Sequence, residues 1–182
     1  FIGPELLSEI ISSVKENFTI NDNAEFTAEC NPSDDIFTLA PVLYGCGVNR
    51  ISMGLQSAVV TERRSLGRKS DISLIRDEIK AVRDSGIENI SLDIMLGIPG
   101  QSICSLDETL GFVTDMKVNH MSAYILQLEP GTFMCKNQER YSFPDEDLTA
   151  ELYLHTCDVS EQAGLIQYEI SNFAFPGHES RH

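Results

Sequence analysis

The sequence has no tryptophan and no C-x-x-C pair, and it is poor in basic residues. Each shortage removes a class of function. Lys and Arg together number 13 against 28 Asp and Glu, for a formal net charge of −15. A face that neutralises nucleic-acid phosphates needs clustered cations. The densest basic stretch, Arg63, Arg64, Arg68 and Lys69, is too short for that, so nucleic acid is not an expected partner. No charge-free apolar run approaches the roughly 18 residues that a membrane helix needs. Acidic residues interrupt the N-terminal stretch, unlike a signal peptide. The five cysteines, Cys30, Cys46, Cys104, Cys135 and Cys157, are odd in number and widely spaced, which argues against a disulfide framework. Reduced, mostly buried thiols in a cytoplasmic protein are the expectation.

What is present is an alternation of helical and extended patterns over 182 residues, enough chain to bury a core. Apolar residues at Leu7, Ile10, Ile11, Val14 and Phe18 have helical spacing, predicting a helix over Leu6 to Phe18. Phe26 to Cys30 reads as a strand ended by Asn31-Pro32. Ser33 or Asp34 is suited to cap the helix that follows, which runs to about Tyr44. Arg50 to Leu55 reads as a strand and Arg63 to Lys69 as part of a polar loop. A helix capped by Asp71 is then predicted over Ile72 to Asp84, with Gly86 closing it. Asn89 to Leu96 and Met121 to Leu128 read as further strands, separated by a helix over about Leu106 to Met116. A last helix starts at Pro144 and the acidic Asp145 to Asp147, and Gln167 to Phe173 is a final extended segment.

Strands alternating with helices predict parallel pairing, because each crossover returns the chain to the same sheet edge. The strands read as apolar on both faces, as in a helix-covered sheet or a closed barrel. The two architectures are not separable at this level.

Four strands carry a polar residue near the C-terminal end: Glu29, Gln56, Asp93 and Gln127. Ligands of α/β folds sit at that end, and a carboxylate in an apolar strand is costly to bury without partners. Glu29, Gln56 and Asp93 therefore predict a pocket at one rim. Arg68, in the loop after Gln56, has a guanidinium suited to hold a carboxylate by two bonds. The Gly97–Gln101 loop lacks the lysine of a phosphate loop and is weak as a phosphate site. His120 and His155 read as structural. His178 and His182 stand four residues apart in a Gly-Pro-rich tail, and the four histidines make no zinc pattern.

Several stretches are distinctive as an ordered set. They are E-C-N-P at Glu29 to Pro32, G-V-N-R-I-S-M-G-L-Q-S at Gly47 to Ser57, and L-G-R at Leu66 to Arg68. N-I-S-L-D-I-M-L-G-I-P-G-Q follows at Asn89 to Gln101, and S-A-Y-I-L-Q-L-E-P-G-T at Ser122 to Thr132. P-D-E-D at Pro144 to Asp147 and Y-E-I-S-N-F-A-F-P-G-H-E-S-R-H at Tyr168 to His182 complete the set. In this order the chain resembles the HemW-like haem chaperones of the radical S-adenosylmethionine (SAM) proteins, relatives of oxygen-independent coproporphyrinogen III oxidase.

The resemblance implies an α/β fold, a partial (β/α)6 radical SAM barrel, over residues 1–140. Residues 141–182, a helix and an extended segment, would begin the C-terminal region. It implies that Glu29 and Gln56 lie beside the amino-acid part of SAM, that Arg68 pairs with its carboxylate, and that Asp93 bonds the ribose hydroxyls. Tyr124 and Gln127 would line the same pocket. Haem is the implied cargo, with His182 opening a stretch associated with haem handling and an acceptor protein as partner; a homodimer is allowed. The alternative is radical decarboxylation of coproporphyrinogen III in porphyrin biosynthesis.

The family's 4Fe–4S cluster is held by a C-x-x-x-C-x-x-C motif that this sequence does not contain. Phe1 is not an initiator Met, and the first strands of a barrel have no counterpart. The expectation is an internal piece of a longer chain, unable by itself to hold the cluster or cleave SAM, with an open sheet edge.

Overall fold

The computed structural model describes residues 3–32, 35–69 and 71–181. Helix α1 (Pro4–Asn17) leads into strand β1 (Thr27–Cys30), helix α2 (Ile36–Gly45) and strand β2 (Arg50–Gln56). A short helix α3 (Val60–Ser65) precedes α4 (Ile72–Asp84), β3 (Asn89–Leu96), α5 (Ile103–Asp115) and β4 (His120–Ile125). After a four-residue helix α6 (Phe133–Lys136) and a 3-10 turn come α7 (Glu146–Gln162), β5 (Ile166–Glu169) and β6 (Asn172–Ala174). Six strands form one sheet in the order β1-β2-β3-β4-β6-β5.

The first four strands pair in parallel, as the strand–helix alternation predicts. The final segment is different. In place of one extended stretch it is a hairpin, with β6 antiparallel to both β4 and β5. A hairpin strand reaches the sheet without a crossover helix, so antiparallel pairing is what a short connection permits. The other edge of the sheet is β1, which among the described residues pairs with β2 alone.

Local signals explain most boundaries. The Asp71 carboxylate accepts from the Ser73 amide at 2.8 Å, capping α4, and Gly86 takes φ 106° just past its end. The Ser102 hydroxyl caps α5, with Ser105 answering in a reciprocal capping box. Asp145 accepts from the Leu148 amide at 2.8 Å at the start of α7. The cap expected at Ser33 or Asp34 lies outside the described residues.

The expectation of strands apolar on both faces is corrected. Register partners show one face made of Ile51, Met53, Leu55, Ile90, Leu92, Ile94, Leu96, Met121, Ala123 and Phe173, all at most 1% exposed. Against it pack residues of the helices such as Ile75, Ile79, Val82, Leu106, Leu110 and Leu152. Burying each such side chain stabilises the fold by about 1.5–3 kcal/mol. The alternate positions, Thr27, Glu29, Arg50, Ser52, Ser91, Asp93, His120, Ser122 and Asn172, form a polar face. Both β1 and β6 line a single cavity on that side, so the sheet curls into a trough.

Two further expectations fail. The Arg63 to Lys69 stretch is not a polar loop throughout: α3 carries Arg63 inward, where its Nη1 donates to the carbonyls of Leu55 at 2.7 Å and Ser57 at 3.2 Å. The thiols are not mostly buried. All five are free, four are half-buried and Cys104 is exposed, because each lies on a helix flank or at a strand end rather than on the central apolar face.

Candidate functional site

The polar face has two neighbouring groups, which meet at Gly54. The first is at the rim. Gln56 takes φ 65°, and the β2–β3 register shifts between Gly54 and Gln56. A bulge of this kind re-aims the side chain that follows it. It brings the Gln56 amide over Gly54, where Asn31 and Arg68 also arrive. A Cβ on Gly54 would stand 2.9 Å from Gln56 Nε2, 3.4 Å from Asn31 Oδ1 and 3.8 Å from Arg68 Nη2. Glycine is required here by close approach. Arg68 Nη1 donates to Asn31 Oδ1 at 2.7 Å, tying the β1–α2 turn to the loop after α3. The two Arg63 bonds to carbonyls on either side of Gln56 hold the backbone that makes this turn.

The second group lies deeper. Asp93 is the register partner of Gly54 on β2 and of Ser122 on β4. The Ser52 hydroxyl contacts the two Asp93 oxygens at 3.1 and 3.2 Å. Burial pushes the Asp93 carboxyl above the usual range; the Ser122 and Ser52 hydrogen bonds oppose the shift, Glu29 adds to it and Arg50 reduces it. A cavity of about 300 Å³ opens here, lined by Glu29, Arg50, Ser52, Asp93, Ser122 and Tyr124 among others. Its far wall includes His120, with Nδ1 at 2.8 Å from Ser91 Oγ and Nε2 at 2.8 Å from the Tyr168 hydroxyl.

Of the residues singled out in the sequence, Glu29, Asp93 and Tyr124 therefore share one cavity. Gln56 and Arg68 gather beside it at Gly54. Gln127 does not join them: β4 ends at Ile125, and Gln127 is exposed in the loop beyond. His182 lies outside the described residues. The Gly97–Gln101 loop closes on itself, Gln101 Oε1 accepting from the Gly97 amide at 2.7 Å and Nε2 donating to the Met95 carbonyl at 3.0 Å. His155 is structural, joining α7 to Asp107 on α5 at 2.6 Å.

The sequence reading missed Asn31, Ser52, Ser122 and Arg50. A period-two count from Glu29 and Gly54 reaches Asn31, Ser52 and Arg50, whereas Ser122 lies on β4 and comes into line only through its register with Asp93.

The C-terminal tail runs under the trough. The Ser180 hydroxyl donates to Glu25 Oε1 at 3.1 Å and the Arg181 amide to Glu25 Oε2 at 3.3 Å, while Arg181 Nη1 reaches the Asn23 carbonyl at 3.1 Å. These bonds join residues more than 150 apart in sequence and fasten the end of the chain to the foot of β1.

The radical SAM superfamily model matches residues 2–113. The chain belongs to this family. Among curated proteins it is similar to the heme chaperone HemW of Lactococcus lactis, 30% identical over all of this chain and 48% of that protein. HemW of Bacillus subtilis is 35% identical over 89% of this chain and 43% of its own length. A mitochondrial radical S-adenosyl methionine domain-containing protein 1 from Danio rerio is 34% identical over 98% and 41%. The fold matches that of the coproporphyrinogen III oxidase HemN of Escherichia coli with a TM-score of 0.87 at 23% identity, over 97% of this chain and 41% of that one. This radical SAM chain spans less than half the length of these relatives. Among the described residues, no helix is long and apolar enough to cross a membrane.

Radical SAM proteins imply two cofactors, and the residues present fit them differently. A SAM molecule carries an ammonium, a carboxylate, a ribose diol and a sulfonium. Two carboxylates, an amide and a guanidinium on one side of the sheet are complementary to that set. An iron–sulfur cluster needs thiolates held close together. Among the described residues no group of three or more His, Cys, Asp or Glu is placed to hold a metal. Cys30, nearest the site, has its thiol pushed up to about 11 by burial and then by the charges of Glu78 and Glu29, so it stays protonated. The described residues do not fit the cluster.

Proposed function

We propose that this chain forms the SAM-holding part of a haem chaperone of the HemW type. The observation that carries the reading is the convergence, on one side of the sheet, of Glu29 and Asp93 in one cavity with Gln56 and Arg68 beside it at Gly54. Glu29 and Gln56 would receive the ammonium end of SAM, and Arg68, steadied by Asn31, its carboxylate. Asp93, already supported by Ser52 and Ser122, would accept from the ribose hydroxyls. Tyr124, exposed at the mouth, would cover the adenosyl group. Bound SAM supplies a sulfonium whose carbon–sulfur bond breaks on one-electron reduction. The residues of this chain orient it and exclude water from its deeper end. The haem cargo rests on similarity to HemW across the chain.

The test uses the full-length protein. Calorimetric titration with SAM should show saturable binding, and Asp93→Asn or Arg68→Ala should weaken it by about tenfold or more. Unchanged affinity in both variants would overturn the SAM site. A haem titration should give a saturable Soret band. Its absence, together with decarboxylation of coproporphyrinogen III by the anaerobic protein, would replace the chaperone by the oxidase.

A further inference from the structure

The trough occupies one side of the sheet, and helices cover the other. Within that helical layer the charge is unevenly placed. Helix α5 carries Asp107, Glu108 and Asp115, and α7 carries Glu146, Asp147, Glu151, Asp158 and Glu161, all of them exposed. Neither helix contains a lysine or an arginine. Helix α4, packed on the same apolar face, balances Asp77, Glu78 and Asp84 with Arg76, Lys80 and Arg83. The ion pairs among the described residues are Arg140 with Glu139 and His155 with Asp107, so no lysine or arginine among them pairs with the α5 and α7 carboxylates.

This arrangement works against the helices themselves. Asp147 with Glu151, and Asp158 with Glu161, put like charges on adjoining turns of α7, which weakens a helix. Asp115 and Glu161 lie in the last turns of their helices, where the dipole favours cations. Solubility is served as well by charges of both signs. Between the α7 carboxylates is an apolar groove. A space of about 440 Å³ is lined by Ile103, Ala150 and Leu154 together with Asp147, Glu151 and Asp158. Leu154 is 62% exposed, whereas Leu152 on the same helix is buried in the core. His155, which also lines the groove, is held by Asp107 at 2.6 Å. A single exposed leucine is ordinary on a protein surface. A leucine in a groove rimmed by carboxylates has the apolar centre and polar rim of an interface.

We propose that this groove docks a basic amphipathic helix of another protein, with an apolar side chain beside Leu154 and lysines or arginines over Asp147, Glu151 and Asp158. Asp147 and Asp158 are about 16 Å apart along the helix axis at 1.5 Å per residue, the length of three helical turns. Charge decides the class of occupant. Nucleic acid and anionic membrane carry the same sign as the groove and are repelled. A second copy of this chain is poorly suited, because its densest basic stretch commits Arg63 to the Leu55 and Ser57 carbonyls and Arg68 to Asn31. The groove lies across the sheet from the trough, so it stands whether or not the trough holds SAM.

The experiment is fluorescence anisotropy of a labelled helical peptide, a row of leucines flanked by lysines, titrated with the full-length protein at constant ionic strength. Saturable binding is expected, and the same peptide with glutamates for lysines should not bind. Leu154→Ala should weaken binding by about tenfold through loss of apolar contact. Glu151→Lys combined with Asp158→Lys should weaken it by about tenfold or more and flatten its salt dependence. Glu5→Lys combined with Glu9→Lys on α1 changes the net charge equally, and should leave affinity within about twofold. An equal loss in the α1 variant would reduce the binding to attraction by overall charge, and the proposal would fail. No binding to the unmodified protein would mean that its own chain covers the face or that nothing docks there, and would also overturn it. A dimer of the unmodified protein that Leu154→Ala splits in sedimentation would make a second copy the occupant, against the proposal. The substituted residues are all exposed, and thermal unfolding checks that each variant folds.

Discussion

The two faces of this sheet are built from the same strands by opposite physics. Toward the helices, β2, β3 and β4 present Ile51, Met53, Leu55, Ile90, Leu92, Ile94, Leu96 and Met121, all inaccessible to solvent. Toward the trough, the intervening positions are Arg50, Ser52, Ser91, Asp93, His120 and Ser122. The first face is held by area removed from water. The second is held by hydrogen bonds such as Ser52 to Asp93 and Ser91 to His120, and its unmet bonds are what a ligand can use. Neighbouring residues of one strand therefore differ in what a substitution does, and paired substitutions test the difference.

The largest effect on stability should come from Leu92→Ala, which empties a site on the apolar face. It should cost about 2–5 kcal/mol in urea unfolding while leaving SAM affinity unchanged. Asp93→Asn, one residue on, should do the reverse. The Asp93 carboxyl titrates above its ordinary value because it is buried. The folded state then holds a proton that the unfolded state releases, from about pH 4 upward. Stability is therefore lost as pH rises through that window up to the raised folded value. Asn cannot charge, so stability curves of the variant against pH should lack this fall. An Asp93→Asn protein that loses stability at neutral pH would break the distinction between the faces.

Arg63→Met should show an intermediate effect. It strips the donor from the Leu55 and Ser57 carbonyls, for about 1–3 kcal/mol in thermal unfolding. Because those carbonyls flank Gln56, it should also weaken SAM binding, and that second loss should vanish in a Gln56→Gly background. Smallest is Glu25→Ala, which frees the tail for about 1 kcal/mol or less. Hydrogen exchange of the Arg181 amide should rise sharply, with little change at the Asp93 amide. Equal loosening at both would show that tail and trough act as one unit.

How much of this was legible beforehand differs along the chain. Asn89 to Leu96 is a strand over the residues its apolar run marks, and Asp71 caps α4 as its position before an amphipathic helix implies. That Glu29, Gln56 and Asp93 lie on one side of the sheet was legible from polar residues in apolar strands, but the depth of Asp93, in the middle of β3, below Gln56 was not. The inward turn of Arg63 was not legible, because a charged residue in a polar stretch reads as solvated until a neighbouring backbone offers it carbonyls. Gln127 misled for the converse reason: its apolar neighbours continue the strand pattern, but β4 stops at Ile125, where pairing with β3 ends.

The amino-acid order by itself determined the strand–helix alternation, the parallel pairing of β1 to β4 and the residue types at the rim, since these depend on local spacing and on connections too long for hairpins. Tertiary structure alone decided that the alternate positions face a shared trough, that Gly54 is the meeting point of Asn31, Gln56 and Arg68, and that Arg63 turns inward onto the carbonyls flanking Gln56. The first two depend on register and curvature between strands far apart in sequence, and no local pattern encodes a distance across a sheet.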